Sequence, residues 1–186
     1  MKIEEKFIKY ENLLKLWSTK MNLVAPSTLN DIQNRHIKDS AQLENFISKD
    51  ISIIDLGSGA GFPGVVLAIL GYNVTCIESI TKKANFLSAL KKELDLPNLT
   101  IINDRVENFL SKTPVNTDKT VFTARAFAPL IKILNYTHTT NCQLFLLKGR
   151  DVLSEIETAK TKYKFEHKLY PSSTGDGHIL HIFNIK

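Results

Sequence analysis

The stretch that decides the fold is Ile53–Ile69, IIDLGSGAGFPGVVLAI. A β-branched apolar run ends at Asp55-Leu56. Gly57, Gly59 and Gly61 then fall within five positions, Phe62-Pro63-Gly64 follow, and a second apolar run starts at Val65. The first run reads as a buried strand and the second as a helix. Residues without side chains crowded between them mean that the backbone turns sharply and is approached closely there. Pro63, with no N–H to lose, suits the first helical turn.

Downstream the same alternation repeats. ISIIDL, NVTCIE, LTII, KTVFTA and QLFLLK are short strand-like runs, separated by helical segments at about 63–70, 80–95, 104–111, 127–140 and 150–163. That order predicts a parallel sheet with helices on both faces, in which ligands sit beyond the carboxyl ends of the strands. The tail departs from it: YKFEHKLYP and HILHIFNI are joined by SSTGDG with no helix, so they form an antiparallel hairpin. Upstream, Ile3, Phe7, Tyr10, Leu14 and Trp17 recur at helical spacing over residues 3–17. APST (25–28) breaks the chain, and Ser27 is the expected N-cap of a second helix reaching about Ile47. The expectation is a helical N-terminal extension, 1–48, packed on a core domain, 49–186.

Composition adds bounds. The chain has 186 residues, 43% apolar and 23% charged, ordinary for a soluble globular protein. Cys76 and Cys142 lack any CxxC or Cys/His partner, so they read as buried reduced thiols and no metal is expected. The charged, helical start is no signal peptide, and no apolar run approaches membrane-spanning length, which points to the cytoplasm. A net charge of +5 and a pI near 9.1 suit a phosphate-rich partner only in combination with a site, since solvated surface lysines give the same balance.

Two ligand classes compete for the glycine turn. The dinucleotide fingerprint GxGxxG needs glycine at position 62, where this chain has Phe62; GxGxG is the spacing favoured by S-adenosylmethionine enzymes. Glu78, closing NVTCIE, is the acidic residue that either class needs for its ribose hydroxyls. Five parallel strands ending in an antiparallel hairpin give the outline of the Rossmann-like class I methyltransferase fold.

The blocks DLGSGAGFPGVVLAI, ESITKKANFLSALKKEL, RVE (105–107), ARAFAPL (124–130) and LLKGR (146–150), with RHIKDS (35–40) upstream, resemble the RsmG family, also called GidB. The resemblance runs from Asn22 to the last strand. It implies transfer of a methyl group from S-adenosylmethionine to N7 of one guanine in 16S ribosomal RNA. The partner is then that RNA, the small ribosomal subunit or an assembly intermediate, and nothing requires more than a monomer. It also implies roles. Gly57, Ser58, Gly59 and Gly61 would face the methionine end of the cofactor, Phe62 would line its pocket, and Glu78 would hold the ribose. Val106 and Glu107 would lie at the adenine. Asp55 would either hold the amino group or cap the glycine turn, and Asp104 would either accept from adenine or cap a helix. Arg125 would touch cofactor or target. Lys148 and Arg150, after the fifth strand, open onto the same sheet edge, where the lysine is either a phosphate or guanine O6 contact or a solvated loop lysine. Arg35 and His36 either line the cleft as candidate catalytic residues, oriented by Asp39 through helical spacing, or belong to an ion-paired helix surface packed over it; Lys82 and Lys83 either flank it or are solvated helix residues.

Guanine N7 carries a free lone pair and the sulfonium methyl is already activated, so no obligatory general base is expected. The chain lacks the NPPY-like run of amino-group methyltransferases, and neither cysteine is placed for cytosine C5 chemistry. Three other readings stand beside this one: a small-molecule or protein methyltransferase, a nicotinamide-dependent oxidoreductase, and a non-catalytic RNA-binding module. The second would need GxGxxG, and the third would not need Glu78 and the glycine turn together.

Overall fold

A computed structural model describes residues 1–186. The strands are β1 (Ser52–Leu56), β2 (Val74–Ile77), β3 (Leu99–Ile102), β4 (Thr120–Arg125), β5 (Gln143–Lys148), β6 (Glu166–Pro171) and β7 (His178–Phe183). They form one sheet in the order β3-β2-β1-β4-β5-β7-β6. β1 to β5 are parallel, and β7 runs antiparallel to both β5 and β6, as the helix-free tail requires. β7 inserts between β5 and β6, an order the sequence pattern alone does not specify. Its buried Ile179, Leu180 and Ile182 suit an interior strand. β6, with Glu166, Lys168 and Pro171 exposed, suits the edge.

The sheet order reverses between β1 and β4, so the crevice for a ligand opens at their carboxyl ends. Helices α1 (Ile3–Ser18), α2 (Asp39–Ala41), α3 (Gly64–Ile69) and α4 (Thr81–Glu93) cover one face; α5 (Val106–Lys112), α6 (Leu130–Thr137) and α7 (Val152–Lys160) cover the other. Side chains alternate between these layers because successive strand residues point to opposite faces. Ile53, Val121, Phe145 and Leu147 enter the core with α1, α3 and α4, whereas Ile54, Phe122, Leu144 and Leu146 enter the core with α6 and α7. No helix is long and apolar enough to cross a membrane.

The N-terminal residues share the first of these cores. Tyr10 and Leu14 of α1, with Ile32, Ile37 and Leu43, pack in one cluster with Val65, Leu67 and Phe86. The second helix differs from expectation. In place of one helix from Ser27 to Ile47 there is a 3-10 turn (Pro26–Asp31), a π turn (Gln33–Lys38), α2, and another 3-10 turn (Gln42–Asn45). Ala25 takes the cap and Pro26 the first helical position, where its missing N–H costs nothing; Ser27 lies inside the turn. Pro63 likewise sits one position earlier than expected, as the cap of α3, after a cis peptide bond from Phe62.

Candidate functional site

A cavity of about 470 Å³ opens at the carboxyl ends of β1 and β4, within the roughly 300–1,000 Å³ usual for small-ligand sites. Its floor is the glycine turn. Gly57, Gly59 and Gly61 all have positive φ, and what crowds them differs. A Cβ on Gly57 would stand 2.1 Å from the Phe127 ring, and one on Gly61 would meet Val65 and the Tyr10 hydroxyl at 2.6 and 2.7 Å. Two of the three glycines are thus demanded by the protein's own packing. Gly59 is different: a Cβ there would meet nothing nearer than 3.8 Å, so its backbone is open to the cavity it lines.

Glu78, just past β2, supports this turn and lines the cavity while only 5% exposed. One carboxylate oxygen accepts from Gly59 N–H at 2.8 Å and the other from Ile80 N–H at 2.7 Å. Each oxygen keeps a second lone pair for an incoming hydroxyl.

Asp55 takes the capping role of the two that the sequence allowed. It is fully buried beneath the turn and does not line the cavity. Its carboxylate accepts from Gly64 N–H and from the Thr123 hydroxyl, each at 3.2 Å, which ties α3 and β4 to the end of β1. Burial is the main cause that pushes its pKa up to about 6; the hydrogen bonds from Gly64 and Thr123 oppose it. Ser58, its hydroxyl on the Asp55 carbonyl, lines the cavity, but Gly61 does not.

Phe62 forms part of the wall. Its ring stacks on Tyr10 (centroids 5.3 Å apart) and on His36 (4.9 Å), with the Arg125 guanidinium 5.7 Å from its centre. The Tyr10 hydroxyl donates to the Ala60 carbonyl at 2.7 Å and so fastens α1 to the glycine turn. His36 is 6% exposed. The Thr28 hydroxyl donates to the Ala25 carbonyl at 2.7 Å, so its oxygen accepts from His36 Nε2–H at 2.8 Å. Nδ1 is then the unprotonated nitrogen, and it has no partner. Burial, helped by the Arg125 charge, lowers the His36 pKa to about 4, so the ring is neutral at physiological pH.

Arg125, ending β4, is held by the Asp39 carboxylate at 3.3 Å and by the Arg35 carbonyl at 2.8 Å. Asp39 does not pair with Arg35 or His36. Its carboxylate also accepts from Gln42, Ser172 and Thr174, because the wide π turn over Gln33–Lys38 removes the i,i+4 facing that an α-helix would give. The RHIKDS block therefore joins the glycine turn, β4 and the loop before β7, and Ser40 is buried with its hydroxyl on the His36 carbonyl. Ala126, next in the chain, lines the cavity at φ +51°, a strained conformation for a residue with a Cβ.

Lys148 is not at the cleft. Its ammonium bonds Glu155 at 2.6 Å and the Ala128 carbonyl at 3.0 Å, among α6 and α7. Strand alternation is the reason, since Leu144, Leu146 and Lys148 all point to that face. Arg35 and Arg150 line a separate polar cavity, Lys83 lines the main one, and Lys82 lines neither. Asp104, Val106 and Glu107 line a third cavity of about 210 Å³ at the end of β3, together with Gly57, Ser79 and Phe127. Phe127 thus stands between this space and the main one. Asp104 accepts from Arg105 N–H and from the Asn108 side-chain amide, while Arg105 takes the cap position of α5 and no side chain caps that helix.

The sequence reading missed one wall: Leu23, Val24, Ala25 and Thr28 close the main cavity from the N-terminal side. The apolar pair ahead of APST was the available signal. Ile80 on the rim, half exposed at 51%, and Phe127 also escaped it.

Comparison with known proteins agrees with this architecture. A solved SAM-dependent methyltransferase from Aquifex aeolicus superposes with a TM-score of 0.62 at 14% identity, covering 94% of this chain and 98% of that one. With the sheet order, that likeness identifies the Rossmann-like class I methyltransferase fold. The Rickettsia prowazekii (strain Madrid E) protein named Ribosomal RNA small subunit methyltransferase G is 39% identical, over 100% of this chain and 98% of its own length. The protein of the same name from Orientia tsutsugamushi (strain Ikeda) is 44% identical over 92% of this chain and 85% of its own. The profile of the GidB family, rRNA small subunit methyltransferase G, matches residues 3–179. From its first helix to its last strand, the chain belongs to the rRNA small subunit methyltransferase G family.

Proposed function

We propose that this protein transfers a methyl group from S-adenosylmethionine to N7 of a guanine in 16S ribosomal RNA, in the cytoplasm. The observation that carries the reading is the pairing of Glu78 with the open backbone of Gly59, in a cavity at the sheet's switch point, in a chain of this family. The residues present fit the donor: a carboxylate with spare lone pairs suits ribose hydroxyls, and the uncrowded Gly59 admits close approach. Bound there, S-adenosylmethionine would supply a methyl group already activated by the sulfonium charge.

The protein's contribution is positional. Glu78 would hold the ribose and Gly57–Gly59 the methionine end, while the space lined by Asp104, Val106 and Glu107 would take the adenine side. Phe62, stacked between Tyr10 and His36, keeps the opposite wall rigid. Arg125, fixed by Asp39, borders the place where a target base would enter. Guanine N7 needs no deprotonation, and the neutral His36 ring matches a site that orients rather than removes protons. Alignment of N7, methyl carbon and sulfur is then the main source of rate.

The test is incubation of the protein with labelled S-adenosylmethionine and 30S subunits lacking the modification, or their RNA, followed by cleavage at 7-methylguanosine. The expected result is one labelled guanine in the small-subunit RNA. Label elsewhere, or none, would overturn the assignment.

A further inference from the structure

A polar cavity of about 290 Å³ adjoins the main one, and Arg125 lines both. No hydrophobic residue lines it. Three arginines converge there from separate parts of the chain: Arg35 from the π turn, Arg125 from the end of β4, and Arg150 from the loop after β5. Ser172 and Thr174 also line the cavity, their hydroxyls donating to the Asp39 carboxylate. Gly149 and Gly175 add open backbone, since a Cβ on either would meet nothing within 4 Å.

The carboxylates in this cavity are engaged. Asp39 holds Arg125, Ser172 and Thr174, and Asp176 pairs with Arg150. The Arg35 guanidinium, in contrast, has neither an ion-pair nor a hydrogen-bond partner. A nucleobase calls for an apolar or aromatic plane to stack on. Such surface, Phe127 and Ile80, lies in the neighbouring cavity and not in this one. Guanidinium forks and open backbone without apolar surface match phosphate oxygens instead.

We propose that this cavity binds a backbone phosphate of the RNA strand beside the nucleotide to be methylated, with Arg35 as its free cation. The proposal rests on the RNA substrate proposed above. Asp39 and Asp176 act as holders, keeping Arg125 and Arg150 extended until the phosphate arrives.

The test is equilibrium binding of the full chain to 16S rRNA from subunits lacking the modification, over a series of salt concentrations, with S-adenosylmethionine affinity measured in parallel. Arg35→Gln is expected to weaken RNA binding about tenfold and to flatten the log–log salt slope by about 0.7, the value for one lost phosphate contact on a single strand. Its S-adenosylmethionine affinity stays at the wild-type value. Arg35→Lys restores the slope but only part of the affinity, because the fork is lost. Asp176→Asn, which releases Arg150, tightens binding. Lys160→Gln removes a cation paired with Glu157 outside the cavity and leaves both affinity and slope unchanged. Wild-type RNA affinity and slope in Arg35→Gln would overturn the proposal. So would an equal loss in Lys160→Gln, which would mean nonspecific charge, or a loss of S-adenosylmethionine affinity in Arg35→Gln. If these binding results hold but the wild-type chain transfers no methyl group, the subsite stands and the proposed activity falls.

Discussion

Lys148 and Arg125 close neighbouring parallel strands, yet their side chains leave the sheet on opposite faces. Arg125 shares a face with Val121 and Thr123 and reaches Asp39; Lys148 shares one with Leu144 and Leu146 and reaches Glu155. The alternation needed to separate them was legible in KTVFTAR and QLFLLK. Proximity to a strand end was the weaker guide, and it misplaced Lys148. Asp55 and Glu78 offer a similar contrast. Both acids stand at strand ends, but Asp55, one residue before the end of β1, falls on the inward pleat and accepts from the first N–H of α3, whereas Glu78 lies one residue past β2 and meets the cavity. Lys148→Met should therefore leave RNA affinity unchanged while lowering stability by roughly 1–3 kcal/mol, because Glu155 loses its buried partner. Parallel titration and thermal melts check this, and weaker RNA binding would return Lys148 to the cleft.

At the scale of elements, the glycine turn was readable because its three glycines stand in a spacing that few other structures need. What the sequence could not separate was the cause at each position. Gly57 is required by the Phe127 ring and Gly61 by Tyr10 and Val65, partners 70, 51 and 4 residues away along the chain; only Gly59 is kept clear. The prediction follows that Gly57→Ala costs at least about 1 kcal/mol from its left-handed backbone alone, seen as a melting point lowered by about 2–4 °C per kcal/mol. Phe127→Leu in the same chain should return part of that loss by relieving the clash. A double variant no more stable than Gly57→Ala would show that the ring is not what crowds this position. The segment from Pro26 to Asn45 was the least legible element. Its apolar spacing was helical, but Pro26 and the π turn divide it, and that break is what points Arg35 and His36 toward different cavities.

For the whole molecule, the parallel sheet and the terminal hairpin were both legible from the order of strands and helices, while the insertion of β7 between β5 and β6 depends on burial across the sheet. The fold also buries two ionisable groups with opposite pH dependence. His36 is held at about 4 against an ordinary 6.5, so an unfolded chain gains a proton that the folded one refuses, and stability falls as pH drops from 6.5 toward 4. Asp55, raised to about 6 against 3.8, holds a proton that the unfolded chain has released, so its effect is to lower stability as pH rises from 3.8 toward 6. Melting points measured from pH 7 to 4.5 should fall less in His36→Gln than in the wild type and fall more in Asp55→Asn; parallel curves would contradict both assignments. The most direct test of the central claim is calorimetric titration of S-adenosylmethionine into the wild-type chain and Glu78→Ala. One site per chain in the wild type, weakened about tenfold to a hundredfold in the variant as befits lost hydrogen bonds to a charged group, is the predicted result. Equal affinity in the two proteins would place the methyl donor somewhere other than above the glycine turn.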